Sequence, residues 1–383
     1  MTSILGWDIG GAHLKAARVE DGVVVAAAQI ACAPHQGLAE LEAALRSMRE
    51  RMGSAERHAV TMTAELSDAF ADRRRGVVSI AAIFSHELAE PAVFYAGAKG
   101  FVEKRDVADA APAIASANWR APAEYLARRL DHAAFERNLS NADNVIDSKS
   151  LERASREKPV STFSHRALEA ALLIDMGSTT TDLTLLRDGV VAAQGQDDAS
   201  RLALGELVYT GLLRGDPAAG LSLAPVDGRW TGLVGERFAS MADVRRLTGD
   251  LSPDIDALPT ADGRSKSFED TRARLARLVG RDAESGTLEQ WDALAQFFAR
   301  AQMRRIEDAI ALLASREPAA LAAPIVGAGI GRGVIGAFAR REGRDYRAFE
   351  TLLPVSPEAA SIAADCAPAC AVALIAAEYR SSR

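Results

Sequence analysis

The stretch ILGWDIGGAHLKAARVEDGVVVAA, beginning at Ile4, returns as ALLIDMGSTTTDLTLLRDGVVAA, beginning at Ala171. Laying Asp8 on Asp175 is a shift of 167 residues (175 − 8) and needs no gap. Gly10 then falls on Gly177, Asp21 on Asp188, Gly22 on Gly189, Val24 on Val191 and Ala26 on Ala193. Each copy reads as an apolar strand, an Asp-x-Gly turn and a second strand, then an Asp-Gly turn into a third, and Asp-Gly between apolar runs is a strong hairpin signal. A chain that writes this unit twice is expected to fold as two α/β lobes, each opening on a three-stranded meander and adding helices and further strands.

The rest of the pattern fits that plan. Leu38, Leu41, Leu45 and Met48 recur at helical spacing, HAVTMTAEL reads as a fourth strand, Gly76–Glu90 as a helix and PAVFYA as another strand. Pro122 sits near the start of a helix in NWRAPAEYLARRL, where its missing N–H costs little. From Trp291 to Ser315 an apolar stripe of Leu294, Phe297, Phe298, Ile306, Ile310 and Leu313 marks a long amphipathic helix, read as core packing or as a homodimer face. LAAPIVGAGIGRGVIGAFARR is a strand that breaks into a glycine-rich turn and enters a helix. The expected division is 1–165 for the first lobe, with the boundary near Pro159–Leu168, and 166–355 for the second. The second lobe carries an irregular insertion over 214–268, and helices over 356–383, capped by Ser356 and by Asp365, return to the first lobe. The Gly/Pro-rich stretches in that insertion read as mobile or as functional.

Composition narrows the partners. Among 383 residues the net charge is −7, with no compensating basic run, which argues against nucleic acid. No apolar run approaches a membrane span, and the N-terminus has no charged region leading into an apolar one, so cytoplasm is the expected location. Cys32, Cys366 and Cys370 have no metal-ligand spacing, and the six histidines form no paired zinc motif.

The repeat points to chemistry. In each copy an aspartate ends a strand and a glycine lets the chain turn sharply. Backbone N–H groups in such a turn form a concavity that holds phosphate oxygens, and an aspartate beside it repels phosphate unless a cation lies between. The expected ligand is therefore a polyphosphate with Mg²⁺, held by Asp8 and Asp175 partly through water. Gly10, Gly11, Gly177, Ser178, Thr179 and Thr180 are the candidate phosphate ligands. Lys15 falls opposite Asp182 in the repeat, putting opposite charges on the two sides of one phosphate site. The other reading is a duplication kept for folding alone.

DIGG at Asp8, DMGSTTTD at Asp175 and IVGAGIGR at Ile325 resemble the phosphate-1, phosphate-2 and adenosine motifs of the superfamily of actin, heat-shock chaperones and sugar kinases, and within it the hydantoinase A/oxoprolinase branch. TMTAELSDAFADRRRGV, ASANWRAPA, YTGLLRG and ASMADVRRLTGDL carry a closer resemblance, to the tetrahydromethanopterin-linked C1-transfer pathway proteins of methylotrophs, whose archaeal relatives serve methanofuran biosynthesis. The resemblance implies two duplicated actin-like (ribonuclease H-like) lobes with a central cleft. It also implies a transferase that joins an aminomethyl-furanmethanol diphosphate to the phenol of a tyramine- or tyrosine-derived acceptor, releasing diphosphate. In a methylotroph the product would lead toward methylofuran and formaldehyde oxidation. ATP, placed at Gly327, Gly329 and Gly331, is the other polyphosphate ligand implied. The alternatives are an ATP-dependent kinase or amidohydrolase of the hydantoinase type, and a non-enzymatic nucleotide switch.

The phenol, with a reference pKa of about 10, needs a base or a nearby cation. Glu65 and Asp68 are the candidate bases, and a solvated turn with a helix cap at Ser67 is the other reading of that pair. Asp68, Asn118 and Trp119 would line the acceptor pocket, although a core position explains the Asn-Trp pair equally well. Arg73, Arg74 and Arg75 either grip diphosphate or form an exposed helix end. His13 stands where hydantoinase-type turns carry other residues, and Ala12 where they usually carry Thr. His13 is a phosphate donor or general base, or else a packed strand residue.

Overall fold

The computed structural model describes residues 3–130 and 170–379, apart from 33, 35 and 36. The boundary expected at Pro159–Leu168 lies outside the described residues. The first lobe is built on strands β1 (Ser3–Ile9), β2 (His13–Glu20), β3 (Val23–Ala31), β4 (Arg57–Met62), β5 (Ala92–Tyr95) and β6 (Phe101–Glu103). They form one sheet in the order β3-β2-β1-β4-β5-β6, with β1, β4 and β5 parallel and the opening meander antiparallel.

The second lobe restates that order. Its strands are β7 (Ala170–Met176), β8 (Thr181–Arg187), β9 (Val190–Val191), β10 (Leu207–Val208), a separate hairpin β11 (Leu223–Val226) and β12 (Arg229–Gly232), then β13 (Ile325–Ala328) and β14 (Tyr346–Ala348). The sheet runs β10-β8-β7-β13-β14, with β9 also on β8, and β13 is parallel to both β7 and β14. The duplicated α/β architecture inferred from the repeat is thus present strand for strand at its centre. Both repeated Asp-Gly corners have φ positive at both residues, +46° and +82° at Asp21–Gly22 and +53° and +74° at Asp188–Gly189. That is the mirror-image turn whose twist suits a two-residue hairpin.

One core joins the lobes. Ile4, Val19, Leu173 and Val326 from the two sheets pack with the closing helices Pro357–Ala363 and Ala367–Glu378. The closing helix lies against β1, β2 and β4. It comes so near that a Cβ on Gly6 would sit 2.0 Å from the Ala369 carbonyl oxygen. On its way there the chain extends the first sheet's edge: Val24 N–H donates to Pro354 (2.8 Å) and Ser356 N–H donates to Val24 (2.9 Å). Ser356 caps the helix that follows it, accepting from Ala359 N–H. Asp365 is not a cap as expected; the closing helix has Cys366 at its N-cap position with no side-chain cap, and Asp365 instead pairs with the Arg332 guanidinium.

The long helix Leu288–Arg316 buries its stripe inside the protein. Leu294 and Phe298 join one apolar cluster, Ile306, Ile310 and Leu313 another, so of the two readings core packing holds. The segment 214–268 is not irregular throughout. It contains the β11–β12 hairpin, turned at Asp227–Gly228 with φ of +50° and +70°, and the helix Met241–Leu247. Ala224, Val226 and Val244 pack it against Trp291 and Phe298 of the long helix.

Candidate functional site

The two Asp-x-Gly turns are closed by the same hydrogen bond. Gly10 N–H donates to His13 O (3.1 Å) and Gly177 N–H donates to Thr180 O (2.9 Å), two bonds related by the repeat itself. Among the described residues the N–H groups of Gly11, Ala12, Ser178 and Thr179 donate to no protein acceptor. Open amides at a tight turn are the donors a phosphate needs. Both turns border one cavity of about 440 Å³ between the lobes.

Charge is concentrated on its walls. Asp8 faces Lys15 across the β1–β2 ladder with Lys15 Nζ 4.0 Å from Asp8 Oδ2, while Asp8 Oδ1 is buried without a hydrogen-bond partner. Burial raises the Asp8 carboxyl above the usual range, against the pull of Lys15 and Asn118. Asn118 Oδ1 accepts from Trp119 N–H (2.8 Å), which turns its NH₂ away and leaves it free for Asp8. On the other lobe Asp182 takes the position equivalent to Lys15 and is pushed up to about 6 by burial, against Arg201, whose Nη2 donates to it (3.1 Å). Asp175 is pushed up to about 7, again by burial first, with Lys15 opposing and Asp182, Asp8 and Asp365 adding to the rise. Burial works against the Lys15 ammonium, but Asp8, Asp175 and Asp365 outweigh it and raise its pKa. The two repeat aspartates therefore act on one ammonium rather than facing separate surfaces.

The cavity gathers most of the residues singled out from sequence: Asp8, Gly10, Gly11, His13 and Lys15 from the first meander, and Gly177, Ser178, Thr179, Thr180 and Asp182 from the second. Asp68, Asn118 and Trp119 line it as well. His13 is lowered to about 4 by burial and by the charges of Lys15 and Arg214, so at neutral pH it is an uncharged ring.

Several expectations are corrected. Gly327, Gly329 and Gly331 do not border the cavity. A Cβ on Gly327 would strike the Tyr346 hydroxyl (2.5 Å), one on Gly329 Asp175 Oδ1 (2.3 Å) and one on Gly331 Met176 (2.3 Å), so these glycines let the β13 turn pack on β7 and β14. Asp175 stands behind the cavity wall beside that turn. Glu65 also lies behind the wall. Its Oε1 accepts from Ser116 Oγ (2.9 Å), its Oε2 has no partner, and burial pushes it up to about 7. Ser116, not Glu65, meets the cavity. Trp119 has one face covered by Arg201, whose guanidinium carbon is 3.5 Å from the ring centroid. Arg73 spans the lobes to Asp198 (2.8 Å), while Arg74 and Arg75 pair at the exposed helix end with Asp109 and Asp72.

Sequence reasoning missed Arg214. Its N–H donates to Ser178 O (2.8 Å), and Leu212 N–H donates to Gly177 O (2.9 Å), tying its loop to the second turn. Gly211 makes the approach possible, since a Cβ there would lie 2.5 Å from Thr179 N. From below, Gln302 on the long helix donates to Thr210 Oγ1 (2.8 Å) and Gly211 O (2.7 Å) while its Oε1 accepts from Arg245. A Gln within an apolar helical stripe, and YTGLLRG as a Gly-flanked basic loop, were the available signals.

A profile of the hydantoinase/oxoprolinase family matches residues 160–378. The chain is 27% identical over 281 residues to the (4-{4-[2-(gamma-L-glutamylamino)ethyl]phenoxymethyl}furan-2-yl)methanamine synthase of Methanocaldococcus jannaschii, covering 73% of this chain and 72% of that protein. It is 31% identical over 112 residues to the protein of the same name from Methanococcus vannielii, covering 29% of this chain and 50% of that protein. Among solved structures, Acidaminococcus fermentans (R)-2-hydroxyglutaryl-CoA dehydratase component A aligns over 99% of this chain and 98% of its own at 13% identity and a TM-score of 0.43. A ROK family glucokinase from Streptomyces griseus aligns over 97% of this chain and 98% of its own at 12% identity and a TM-score of 0.40.

Proposed function

The chain belongs to the hydantoinase/oxoprolinase family, and we propose that it is a transferase of methanofuran-type cofactor biosynthesis. In this reading it joins an aminomethyl-furanmethanol diphosphate to the phenol of a tyramine- or tyrosine-derived acceptor. The C–O bond from the furan methylene to diphosphate breaks, the bond from that carbon to the phenol oxygen forms, and the phenol proton passes to a base. The relatives' name, which contains a phenoxymethyl-furan linkage, supports the substrate class. The observation that carries the reading is the pair of equally closed turns with open amides bordering one charged cavity.

The residues divide the task. The amides of Gly11, Ala12, Ser178 and Thr179 would take diphosphate oxygens, and Lys15 would absorb charge as it develops on the leaving group. Ser116 would pass the phenol proton to Glu65, whose raised pKa places it closer to a phenol than an ordinary carboxylate. The furan ring stabilises positive charge on its methylene, which suits a loose transition state.

Mg²⁺ belongs to this proposal as a companion of the substrate. Among the described residues no group of three or more His, Cys, Asp or Glu could hold a metal. Mg²⁺ is commonly held by one or two carboxylates together with waters and substrate phosphates. The buried, unpartnered Asp8 Oδ1 fits that role, with Asp175 acting through water. When bound, the ion would supply charge neutralisation to the departing diphosphate.

Incubation of the protein and Mg²⁺ with the furan diphosphate and γ-glutamyltyramine is expected to give one diphosphate per aryl ether, with no phosphate from ATP alone. Rapid phosphate release from ATP and no ether would favour the alternative, an ATP-dependent kinase or amidohydrolase of the hydantoinase type.

A further inference from the structure

A second cavity of about 420 Å³ adjoins the first, and Gly11, Ala12 and Arg214 border both. Its floor comes from the first lobe, at Ala31 and Cys32. Its roof is the inserted segment of the second lobe, around Ala239, Ala242 and Leu258. The walls between are largely small and apolar.

Three arginines line this space, and they are not equivalent. Arg246 is neutralised in place by Asp243 (2.9 Å) and Asp256 (2.7 Å). Arg214 and Arg237 are exposed, and among the described residues neither guanidinium has a carboxylate partner. Arg214 is also held in register with the Ser178 turn by its own N–H, so its position relative to the open amides is set before any ligand arrives. The carboxylates that line the same cavity are Glu40, Asp243 and Asp256, and the two aspartates are already paired with Arg246. Two unpaired guanidiniums on the open side of a phosphate-binding junction suit a polyanion, because a guanidinium binds phosphate oxygens in a bidentate manner.

We propose that Arg214 and Arg237 bind the terminal phosphate of the diphosphate chain, which projects into the second cavity. The inference rests on the diphosphate-transfer reading. It assigns the organic half of the donor, with the acceptor, to the cavity bordered by Asn118 and Ser116. The terminal phosphate then projects past Ala12 into the second cavity.

Calorimetric titration of the full chain with inorganic diphosphate and Mg²⁺ tests this without any turnover. Each of Arg214→Gln and Arg237→Gln should weaken diphosphate binding at least tenfold, as expected for loss of a charge-assisted contact. Arg237→Lys should recover part of the loss, and melting temperatures should stay unchanged because both side chains are exposed. Equal diphosphate affinity in wild type and both Gln variants overturns the proposal. So does an ADP affinity that depends on Arg237 while diphosphate affinity does not, which would make the cavity a nucleoside site. Diphosphate binding that responds to both arginines in a protein that makes no ether would instead leave the anion site standing and remove the transferase reading.

Discussion

Lys15 Nζ lies 4.0 Å from Asp8 Oδ2, in the ladder position that Asp182 occupies opposite Asp175. The duplication has kept the backbone turn and changed the sign of one charge. Two facing copies with four carboxylates would repel any phosphate. Replacing one of the four by an ammonium suits the polyanion and divalent cation proposed above, and it offsets the charge of the buried aspartates around it.

That arrangement has a cost that shows in pH. Burial pushes Asp175 up to about 7, far above its value in the unfolded chain. The folded form therefore holds its proton more tightly, and stability falls as pH rises from about 4 through about 7. Asp175→Asn removes that slope. By urea unfolding the variant should be more stable than wild type at pH 8.5, on the order of a few kcal/mol, with the difference vanishing below about pH 4.

Glu65 titrates near 7 because it is buried, with Ser116 opposing the rise. As a base acting through Ser116 it works only when ionised. The rate of ether formation should rise with pH and level off above about 7. Glu65→Gln should lower kcat by roughly 100-fold or more and flatten that profile. A steady pH dependence in Glu65→Gln would remove it from proton transfer.

Gly211→Ala tests the support beneath Arg214. The added Cβ would meet Thr179 N at 2.5 Å, a backbone atom that cannot swing aside. Displacing the turn by a fraction of an ångström should cost about 10- to 100-fold in kcat/KM, together with about 1–3 kcal/mol of stability from overpacking the close contact.

How much of this was legible in the chain depends on range. The repeat, its Asp-Gly corners at Asp21 and Asp188 and the stripe from Leu294 to Leu313 are local patterns, and the structure contains each of them. The β11–β12 hairpin carried the same Asp-Gly signal at Asp227, hidden by Pro225 and the glycines around it. Gly329 and Gly331 read as ligand-facing because glycine permits any close approach, and only the fold reveals that Asp175 and Met176 fill the space. Glu65 sits one residue from its expected setting in effect: the carboxyl is behind Ser116, 51 residues away in sequence. Arg214 depends on Gln302, farther still along the chain. Contacts of that range leave no periodic trace.

The closing helix offers a test of the fold apart from the site. A Cβ on Gly6 would lie 2.0 Å from the Ala369 carbonyl, so Gly6→Ala must push that helix off the first sheet. Chemical unfolding should show a loss of about 1–3 kcal/mol or more, the range for overpacking a close contact. An unchanged midpoint would mean that the helix does not seat on β1.

The most direct measurement for the whole account is diphosphate release by Asp8→Asn beside wild type, with Mg²⁺, the furan diphosphate and a phenolic acceptor. The substitution keeps the shape of the side chain and removes the charge that Lys15 and the incoming cation share. The account predicts release at least 100-fold slower in Asp8→Asn, with a melting temperature no lower than wild type. Full-rate release by Asp8→Asn would contradict it.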